Sequence, residues 1–372
     1  MPVSELRVDL GAINQNLRLA AQLAGGRAVL AAVKANAYGH GLVEVARSIE
    51  AAGTAQWLGV ALTDEATALR AGGVTLPILK FTLTFPDELP AALAADVTLT
   101  VADARGAEET AAAARAAGIV AAVHLKVDTG MRRIGVEPED AVALARLIAS
   151  DPNLVLDGIY THLPVSDTPA GAEFTRAELA AFERVVDDVV AAVGPVPWVH
   201  EANSGAVLGH DLGSTNLVRP GIMVYGSYPD VATPHTGELA PVERWTARVA
   251  FIKRVLAGET VGYGRSWTAP HDTFVATVEI GYGDGYSRLL SSRGRMLIGG
   301  RSYPVVGRVC MDQTMVDLGP EYPTVQPGDR AVLIGRDGDE EITVQEIADL
   351  MGTIPYEVTC LITPRVARTY VG

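Results

Sequence analysis

A lysine stands where the first strongly apolar segment of the chain ends. Lys34 closes the run VLAAVK at 29–34 and precedes a loop that contains Tyr38 and Gly39. A lysine in this position either extends its ammonium to water along an apolar surface or sits in a pocket where desolvation lowers its pKa. Only the second environment supplies a neutral amine that can form a Schiff base with a carbonyl compound. Lys34 is therefore a candidate nucleophile, and taken alone it leaves both environments open.

Two later segments suit the binding of a phosphate group. HEANSGA and RPGIMVYG each follow or include an apolar run and supply short polar side chains or glycines. Such residues, with the backbone amides at helix N-termini, hold phosphates, although the polar ones also cap helices without any ligand. The candidate residues are Asn203, Ser204, Gly221 and Ile222. Two such segments predict a phosphate site better than either alone, and simple helix capping stays open.

Charged residues and a histidine fall in comparable positions. Arg219 opens the second of those segments and cannot easily lose its proton. His162 follows DGIYT, where a core histidine bonded to a backbone carbonyl is the competing explanation. Lys126 in HLKVDTGMRRIG is followed by Asp128 and Arg133, and structural ion pairing explains that group equally well. In isolation, none of these residues specifies a reaction.

Two turn-rich segments lie further along the chain. EIGYGDGYSR contains Tyr282 between two glycines, and GRVCMDQTM contains Met311 and Asp312. Composition alone predicts loops here, and packing is the more frequent fate of a tyrosine. Composition therefore assigns no chemistry to these three residues.

The chemistry-bearing residues of the first two-thirds lie near the ends of apolar segments that alternate with helical patterns. Near-continuous apolar strands separated by amphipathic helices predict a parallel sheet covered by those helices. Eight such units predict an α/β fold of the (β/α)8 TIM-barrel type, in which active sites lie at the carboxyl ends of the strands. A doubly wound sheet is the rival, but the first strand lacks its glycine-rich dinucleotide loop. The predicted strands are 29–34, 57–61, 76–80, 97–101, 122–127, 154–160, 196–202 and 219–226.

The sequence pattern changes near 234–241. Beyond this point, short β-rich segments are divided by Gly, Pro and Asp, with one short helix predicted at VQEIADLMG. We therefore predict an N-terminal barrel domain over 1–238 and a smaller, mainly β domain over 239–372. Residues 1–10 are a segment that can pack with the second domain.

Composition and charge limit the partners of this chain. The 372 residues carry a formal net charge of -14, and an acidic surface disfavours nucleic acids and anionic membranes. Two cysteines exclude a disulfide framework and a cysteine-rich zinc site, so we expect reduced thiols and no metal. No segment resembles a secretory signal or a membrane span. These features predict a soluble cytoplasmic protein.

Eight motifs occur in a fixed order along the chain: AVKANAYGHG, HLKVDTGMRRIGV, GIYTH, ANSGA, RPGIMVYG, YGRSW, IGYGDGYSR and VGRVCMDQ. They resemble the motifs of bacterial alanine racemases, and the resemblance runs from about residue 5 to residue 370. It implies a fold-type III isomerase that uses pyridoxal 5′-phosphate to interconvert L- and D-alanine, supplying D-alanine for peptidoglycan. It also implies a homodimer with shared active sites.

We predict nine cofactor-binding residues, and the resemblance supplies the roles of most of them. Lys34 matches the lysine that binds the cofactor covalently, and Arg219 matches the arginine at its pyridine nitrogen. His162 matches the histidine that links this arginine to the catalytic tyrosine. The full cofactor-binding set is Lys34, Tyr38, His162, Asn203, Ser204, Arg219, Gly221, Ile222 and Tyr225.

The resemblance also implies a reaction with two bases. Lys34 and Tyr282 match the acid–base residues on opposite faces of the substrate, with Tyr282 contributed across the dimer interface. Two faces need two bases because a single base tends to return the proton where it came from. Lys126 matches a lysine that is often carbamylated. The residues that match the substrate-binding positions are Arg133, Met311 and Asp312.

Two places depart from the family pattern. His162 is followed by Leu-Pro-Val-Ser-Asp, and Pro364 stands where several members have a tyrosine near the phosphate and the substrate entrance. The second departure puts one phosphate hydrogen bond and strict alanine selectivity in doubt. The alternatives are a racemase for serine or another small amino acid, a fold-type III decarboxylase, and a barrel-only cofactor carrier. Arg219 argues against the decarboxylase, and the second domain argues against the carrier.

Overall fold

A computed structural model describes residues 2–372 and divides the chain into two compact units. The barrel unit consists of Ile13–Ala37 and Gly41–Ala240. The β unit consists of Tyr38–His40 and Pro241–Gly372, together with the N-terminal residues through Ala12. The first strand, β1 (Ser4–Asp9), thus belongs to the β unit.

Eight parallel strands form the barrel unit's sheet, with β9 paired to β2. The seam between β8 and β9 is joined by backbone hydrogen bonds from Asn216 to Val199 (3.0 Å) and from Arg219 to Ala202 (2.7 Å). The predicted barrel fold is therefore confirmed, and the doubly wound alternative is excluded. The strands are β2 (Ala28–Ala32), β3 (Trp57–Val60), β4 (Ile78–Lys80), β5 (Val97–Val101), β6 (Ala121–Lys126), β7 (Leu154–Tyr160), β8 (Trp198–His200) and β9 (Leu217–Val218).

Helices follow the barrel strands because their apolar residues recur every three to four positions. In Leu42–Ala52, for example, the side chains of Leu42, Val45 and Ile49 are buried on one face. None of the described helices is both long and apolar enough to cross a membrane. The α-helices that begin before Ala240 are Leu10–Leu23, Leu42–Ala52, Thr63–Ala71, Leu89–Ala94, Ala104–Ala117, Ala141–Ser150, Ala172–Val193 and Ser204–Gly209.

The interior of the barrel is layered by polarity. Near the amino ends of the strands, Leu30, Trp57, Leu79 and Leu217 form a buried apolar cluster on which Trp198 packs. Polar side chains lie at the opposite, carboxyl ends. The apolar layer fills the barrel, and the polar layer above it faces the loops, where barrel enzymes place their active sites.

The eighth predicted strand is wrong in its position. The strand is Leu217–Val218, whereas 219–226 continues as a loop and a 3-10 turn at Ile222–Tyr225. Pro220 explains the early end, because proline has no amide hydrogen for the next rung of the ladder. Its carbonyl still accepts a hydrogen bond from the Ala32 amide at 3.1 Å, which keeps the loop beside β2.

The β unit is built on a nine-stranded sheet that contains β1. This strand pairs antiparallel with β10 and parallel with β19. The core order of the sheet is β15-β14-β17-β10-β1-β19, while β13, β16 and β18 attach to its sides. The strands are β10 (Glu243–Val255), β11 (Thr260–Val261), β12 (Trp267–Thr268), β13 (Thr273–Val278), β14 (Arg295–Ile298), β15 (Arg301–Pro304), β16 (Thr314–Gly319), β17 (Arg330–Asp337), β18 (Glu340–Ile342) and β19 (Ala367–Val371).

Two α-helices lie in this unit where the sequence predicted one. The predicted helix is present at Val344–Met351, and a second follows at Pro355–Cys360. Pro355 occupies the first turn of the second helix, where its missing amide hydrogen costs nothing. Six residues are too few to show a helical period, so this helix escaped prediction.

Candidate active site

Lys34 lies just beyond the end of β2 and is followed by an unusual backbone turn. The φ angles of Ala35, Asn36, Ala37 and Tyr38 are 54°, 56°, 53° and 52°, all in the left-handed region. L-residues other than glycine avoid this region at a cost of roughly 1–2 kcal/mol each. Lys34 was predicted to end the strand, but the strand stops at Ala32 and the half-buried lysine begins this strained turn.

One carboxylate holds the turn in place. Glu65 Oε1 accepts hydrogen bonds from the backbone amides of Ala35 (2.6 Å) and Asn36 (3.4 Å). Its other oxygen accepts from the amides of Ala61 (2.9 Å) and Leu62 (3.1 Å), in the loop after β3. Glu65 therefore fastens the turn that carries Lys34 to the neighbouring strand end.

The last residues of three adjacent strands form a polar row. Lys126, Tyr160 and His200 are paired in register across β6, β7 and β8. The Tyr160 and His200 rings stack at 4.7 Å with 5° between their planes, and Lys126 Nζ lies 5.2 Å from the Tyr160 ring centroid. Thr100 binds the Tyr160 hydroxyl at 2.6 Å. The barrel thus presents a rigid aromatic surface with a buried lysine beside it.

Arg219 lies beside this row, with its Cζ 5.3 Å from the Tyr160 ring centroid, and is 5% exposed. Its Nη1 is 3.0 Å from His200 Nδ1, and its Nη2 donates to the Thr161 carbonyl at 2.7 Å. Nη2 is also 3.4 Å from Nδ1 of His162, the histidine predicted to link to this arginine. Burial lowers the Arg219 pKa to about 10. The guanidinium stays charged near neutrality and is held from several sides.

Both histidine neighbours of Arg219 are neutral near pH 7. Burial, followed by the charge of Arg219, lowers the pKa of His162 and His200 well below the usual value. A neutral imidazole has one nitrogen without hydrogen, and that nitrogen can accept from a guanidinium. Each Nδ1 that faces Arg219 is therefore the unprotonated nitrogen of its ring.

Positive charge accumulates around Lys126. Burial, followed by the charges of Arg219, Arg133 and Lys34 in that order, lowers its pKa to about 7. Asp128 opposes this effect in part, and its carboxylate accepts hydrogen bonds from the backbone amides of Arg132 (3.0 Å) and Arg133 (3.2 Å). The site therefore holds an excess of basic groups and suits an anionic ligand.

The two predicted phosphate-binding segments meet at one hydroxyl. Ser204 Oγ accepts hydrogen bonds from the backbone amides of Gly221 (2.8 Å) and Met223 (3.4 Å). Asn203 caps the helix Ser204–Gly209, because its Oδ1 accepts from the Ala206 amide at 3.1 Å. The capping role left open for Asn203 is thus present. The Ser204 hydroxyl, by contrast, can still donate its hydrogen.

The remaining members of the predicted cofactor set divide between the two units. Ile222 and Tyr225 are buried in the barrel unit, and the Tyr225 hydroxyl donates to the Ala32 carbonyl at 2.9 Å. Tyr38 belongs to the β unit, where its ring lies 6.0 Å from that of Tyr356. Burial is the main cause that raises the Tyr38 pKa above its ordinary value. Its contribution to phosphate binding stays a prediction.

The predicted residues of the β unit, Tyr282, Met311 and Asp312, lie on two neighbouring loops. The amide of Tyr282 donates to the Cys310 carbonyl (3.0 Å), and its side chain is 42% exposed. Gly281 is required here, because a Cβ would lie 2.3 Å from the carbonyl oxygens of Cys310 and Met311. Met311 is also exposed. The close backbone contact therefore fixes Tyr282 beside Met311 on an accessible surface.

Asp312 is already engaged by a cation in this unit. Arg365 Nη2 lies 2.7 Å from Asp312 Oδ1, and Arg365 Nε lies 3.2 Å from Asp284 Oδ1. Asp284 in turn accepts a hydrogen bond from the Gly281 amide at 3.0 Å. The arginine thus ties together the two loops that carry Tyr282 and Asp312, and it follows directly after Pro364.

Sequence reasoning missed several residues that shape the barrel site. Glu65, Tyr160 and His124 were not singled out, and His200 was noted only as part of a polar cluster at a strand end. A signal for the histidines existed, because polar residues inside the apolar strands AVHLKV and VPWVHEA need buried partners. No group of residues within 2–372 has the composition of a metal site.

The chain matches one family along nearly all of its length. The alanine racemase N-terminal domain model matches residues 8–229, and the alanine racemase C-terminal domain model matches residues 242–370. The chain is 48% identical over 367 residues to an alanine racemase of Cutibacterium acnes, covering 98% of this chain and 97% of that protein.

Solved structures show the same similarity. The alanine racemase structure from Streptomyces lavendulae has a TM-score of 0.93 and 35% identity, covering 100% of this chain and 98% of that one. A histidine racemase structure from Leuconostoc mesenteroides has a TM-score of 0.92 and 30% identity, with coverage of 100% and 98%. Both family models and full-length relatives agree, and this chain therefore belongs to the alanine racemase family.

Proposed function

We propose that this chain interconverts L- and D-alanine with pyridoxal 5′-phosphate bound in the barrel unit. The observation that carries the cofactor proposal is the cluster of basic groups around Lys126. Burial and then the charges of Arg219, Arg133 and Lys34 lower the pKa of this lysine. A cofactor with a phosphate and a phenolic oxygen, and a substrate with a carboxylate, supply the anionic groups that such a cluster lacks.

The residues present fit this cofactor. The amine of Lys34 can bind an aldehyde carbon covalently, and Ser204 has a hydroxyl hydrogen available for a phosphate oxygen because its oxygen already accepts from Gly221. Gly221 and Ile222 complete the phosphate-binding loop after β9, a common location for phosphate in barrels. We place Tyr38 at the same phosphate, as the resemblance implies.

Arg219 is suited to face the pyridine nitrogen. A guanidinium only donates hydrogen bonds, so it leaves this nitrogen without a proton of its own. Pyridoxal 5′-phosphate supplies, when bound, a conjugated ring that draws electrons from the substrate Cα and makes its proton removable. An arginine at that nitrogen weakens the withdrawal, which limits side reactions such as transamination.

Lys34 and Tyr282 serve as the two bases. One removes the Cα proton from one face, and the other delivers a proton to the opposite face. A tyrosine with an ordinary pKa of about 10 needs a positive neighbour to act near neutral pH. The pair Arg219 and His162 is suited to this task, because the Nδ1 of His162 faces the guanidinium and leaves Nε2 for Tyr282 of the partner subunit.

We assign binding of the substrate carboxylate to Arg133, in the loop after β6, and to the backbone amide of Met311, with Asp312 beside it, as the family resemblance implies. Lys126, with a pKa of about 7, reacts as a free amine with carbon dioxide and releases one proton. The resulting carbamate carries a negative charge and balances Arg133.

The protein acts as a homodimer in which each barrel receives Tyr282 from the partner subunit. The accessible position of Tyr282 supports this arrangement. We place the reaction in the cytoplasm, where it supplies D-alanine for peptidoglycan, as the family resemblance implies. Its partners are then a second copy of the chain and a small amino acid.

Two substitutions test the proposal. Lys34→Ala should remove the yellow colour of the covalently bound cofactor and abolish racemisation. Tyr282→Phe should keep the colour and lower kcat by about 100- to 10,000-fold, the range expected for loss of an acid–base residue. Tyr322→Phe is the control, because Tyr322 is 88% exposed in the same unit. Full activity of Tyr282→Phe in both directions would show that the two-base assignment is wrong.

One comparison and one residue make histidine a second candidate substrate after alanine. The chain shares its fold with a histidine racemase at 30% identity, and Pro364 replaces a tyrosine near the predicted entrance. A screen of L-alanine, L-serine and L-histidine with chiral detection of each product ranks kcat/KM directly. We expect alanine to rank first. Carbon dioxide release from L-alanine without D-alanine would support the decarboxylase alternative, which the family assignment disfavours.

A further inference from the structure

The hydrogen bonds of Arg219 continue into the barrel below it. His200 binds Arg219 through Nδ1, and its Nε2 lies 2.8 Å from Nδ1 of His124. Nε2 of His124 lies 3.5 Å from Oδ2 of Asp157, an ion-pair distance, and this buried nitrogen makes no hydrogen bond with any residue within 2–372. We call Arg219, His200, His124 and Asp157 the inner polar chain.

The donor-only chemistry of arginine fixes the direction of the inner polar chain. Because Arg219 can only donate, Nδ1 of His200 must accept, and the single hydrogen of this neutral ring then sits on Nε2. That hydrogen is donated to Nδ1 of His124, so the hydrogen of His124 is also on Nε2. The nitrogen of His124 that carries this hydrogen is the one 3.5 Å from the Asp157 carboxylate.

The backbone makes room for this arrangement. His124 and His200 are both fully buried, and a Cβ on Gly158 would lie 2.6 Å from the His124 ring. The pairing of β6 and β7 shifts register between Val123 and His124, which leaves Asp157 opposite no residue. Its side chain is 26% exposed, so the carboxylate reaches water. Gly158 and the register shift together allow the Asp157 carboxylate to lie close to the buried His124 ring.

We propose that Asp157, acting through His124 and His200, is a positioning residue that orients the Arg219 guanidinium. The effect of this orientation on catalysis rests on the function proposed above, in which Arg219 faces the cofactor ring. The hydrogen-bond pattern itself does not depend on any cofactor. In the competing explanation, the histidines are satisfied core residues and Asp157 only fills space at a bulge.

The first experiment reads the hydrogen positions directly. Side-chain ¹⁵N NMR of the full-length protein labelled at histidine, before and after cofactor removal, shows which nitrogen of each ring carries hydrogen. Signals are assigned by their loss in His124→Gln and His200→Gln. We expect both rings to carry hydrogen on Nε2 alone. Hydrogen on Nδ1 of either ring, or on both nitrogens, would overturn the proposal whether or not the cofactor assignment holds.

The second experiment separates charge from shape at Asp157. Asp157→Asn keeps the size of the side chain but removes its charge, whereas Asp157→Glu keeps the charge. We expect Asp157→Asn to lower kcat about tenfold with KM nearly unchanged, because the negative charge 3.5 Å from Nε2 of His124 is removed. The kcat of Asp157→Glu should be closer to that of wild type than to that of Asp157→Asn.

A matched control is available near the start of the same strand. Asp151 is 25% exposed and lies 3.3 Å from its cation Arg115, which matches Asp157 in exposure and in partner distance. Asp151→Asn should leave kcat unchanged. Equal activity of Asp157→Asn and wild type, or a larger loss in Asp157→Glu than in Asp157→Asn, would show that Asp157 only fills space. A chain that lacks bound cofactor but shows the expected hydrogen positions would refute the proposed function and leave the inner polar chain standing.

Discussion

At the residue scale, the site is defined by how its basic groups affect one another. Lys34, Arg133 and Arg219 each lower the pKa of Lys126, after burial has already done so. Arg219 stays charged because burial lowers its pKa only to about 10, whereas Lys126, with a pKa of about 7, is partly a neutral amine near pH 7. Two basic residues in one pocket therefore have different tasks, and only the lysine is free to react.

We predict that Lys126 is carbamylated in a pH-dependent way. With a pKa of about 7, about one tenth of this amine is neutral at pH 6 and about nine tenths at pH 8. At a fixed concentration of dissolved ¹³CO₂, the ¹³C NMR signal of the carbamate should therefore be much stronger at pH 8. Lys126→Ala should lack the signal, and Lys253→Ala, which alters an exposed lysine, should retain it. Equal signals at both pH values would contradict the assigned pKa.

Individual residues of the site were predictable to different degrees. Ser204 and Gly221 were named from their place after the last two strands, and the structure joins them by a hydrogen bond. Glu65 could not be named, because its partners are backbone amides that carry no sequence signal. Asp157 was equally hidden, since its position depends on a register shift between two strands.

At the element scale, strand ends and turns decide where the chemistry lies. The left-handed turn after Lys34 uses alanine, asparagine and tyrosine instead of glycine, so its conformation is imposed by surrounding contacts. Strain of this kind is concentrated at functional sites. Glu65 supplies much of the constraint, because it binds both this turn and the loop after β3.

Replacing Glu65 should therefore loosen the turn. In Glu65→Gln, one carboxylate oxygen becomes an amide NH₂ that cannot accept from the amides it faces, and we expect a cost of about 1–3 kcal/mol. Thermal unfolding should shift down by a few degrees, and kcat should fall because Lys34 is less well positioned. Glu44→Gln is the matched control, since Glu44 also lies in the first turn of a helix. An unchanged unfolding temperature and kcat for Glu65→Gln would show that the turn needs no such support.

The positions of helices and strands were predicted well where the hydrophobic pattern determines the structure. They were predicted poorly where the local backbone conformation determines it. Seven of the barrel strands overlap their predicted positions, because buried parallel strands have nearly continuous apolar sequences. The segment 219–226 looked equally apolar, but Pro220 stopped its pairing. The left-handed turn after Lys34 could not be predicted, because alanine and tyrosine rarely adopt a positive φ angle.

At the scale of the whole molecule, the barrel unit and the β unit carry different parts of the proposed site. Lys34, Arg133 and Arg219 belong to the barrel unit, while Tyr282 and Met311 belong to the β unit. In the proposed homodimer, each site joins the barrel unit of one subunit to the β unit of the other. Two variants that are inactive for different reasons should then complement each other.

Mixed dimers test this arrangement. Co-expressed Lys34→Ala and Tyr282→Phe chains should pair at random, and each heterodimer should contain one site with both residues intact. Half of the dimers are then heterodimers with one active site of two, so activity should recover to about one quarter of wild type. Pairing Lys34→Ala with the double variant should restore nothing. If the mixed dimers also stayed inactive, both residues would act within one subunit.

The pairing of β1 with β19 has a consequence for the order in which the chain folds. β1 (Ser4–Asp9) is made early by the ribosome, but its parallel neighbour β19 (Ala367–Val371) is made after the whole barrel segment has been synthesised. Contacts between such distant segments form slowly, because a long loop must close first. The barrel segment can therefore fold cotranslationally while the backbone groups of β1 have no partner strand. We expect β1 to be the part of the nascent chain most dependent on chaperones.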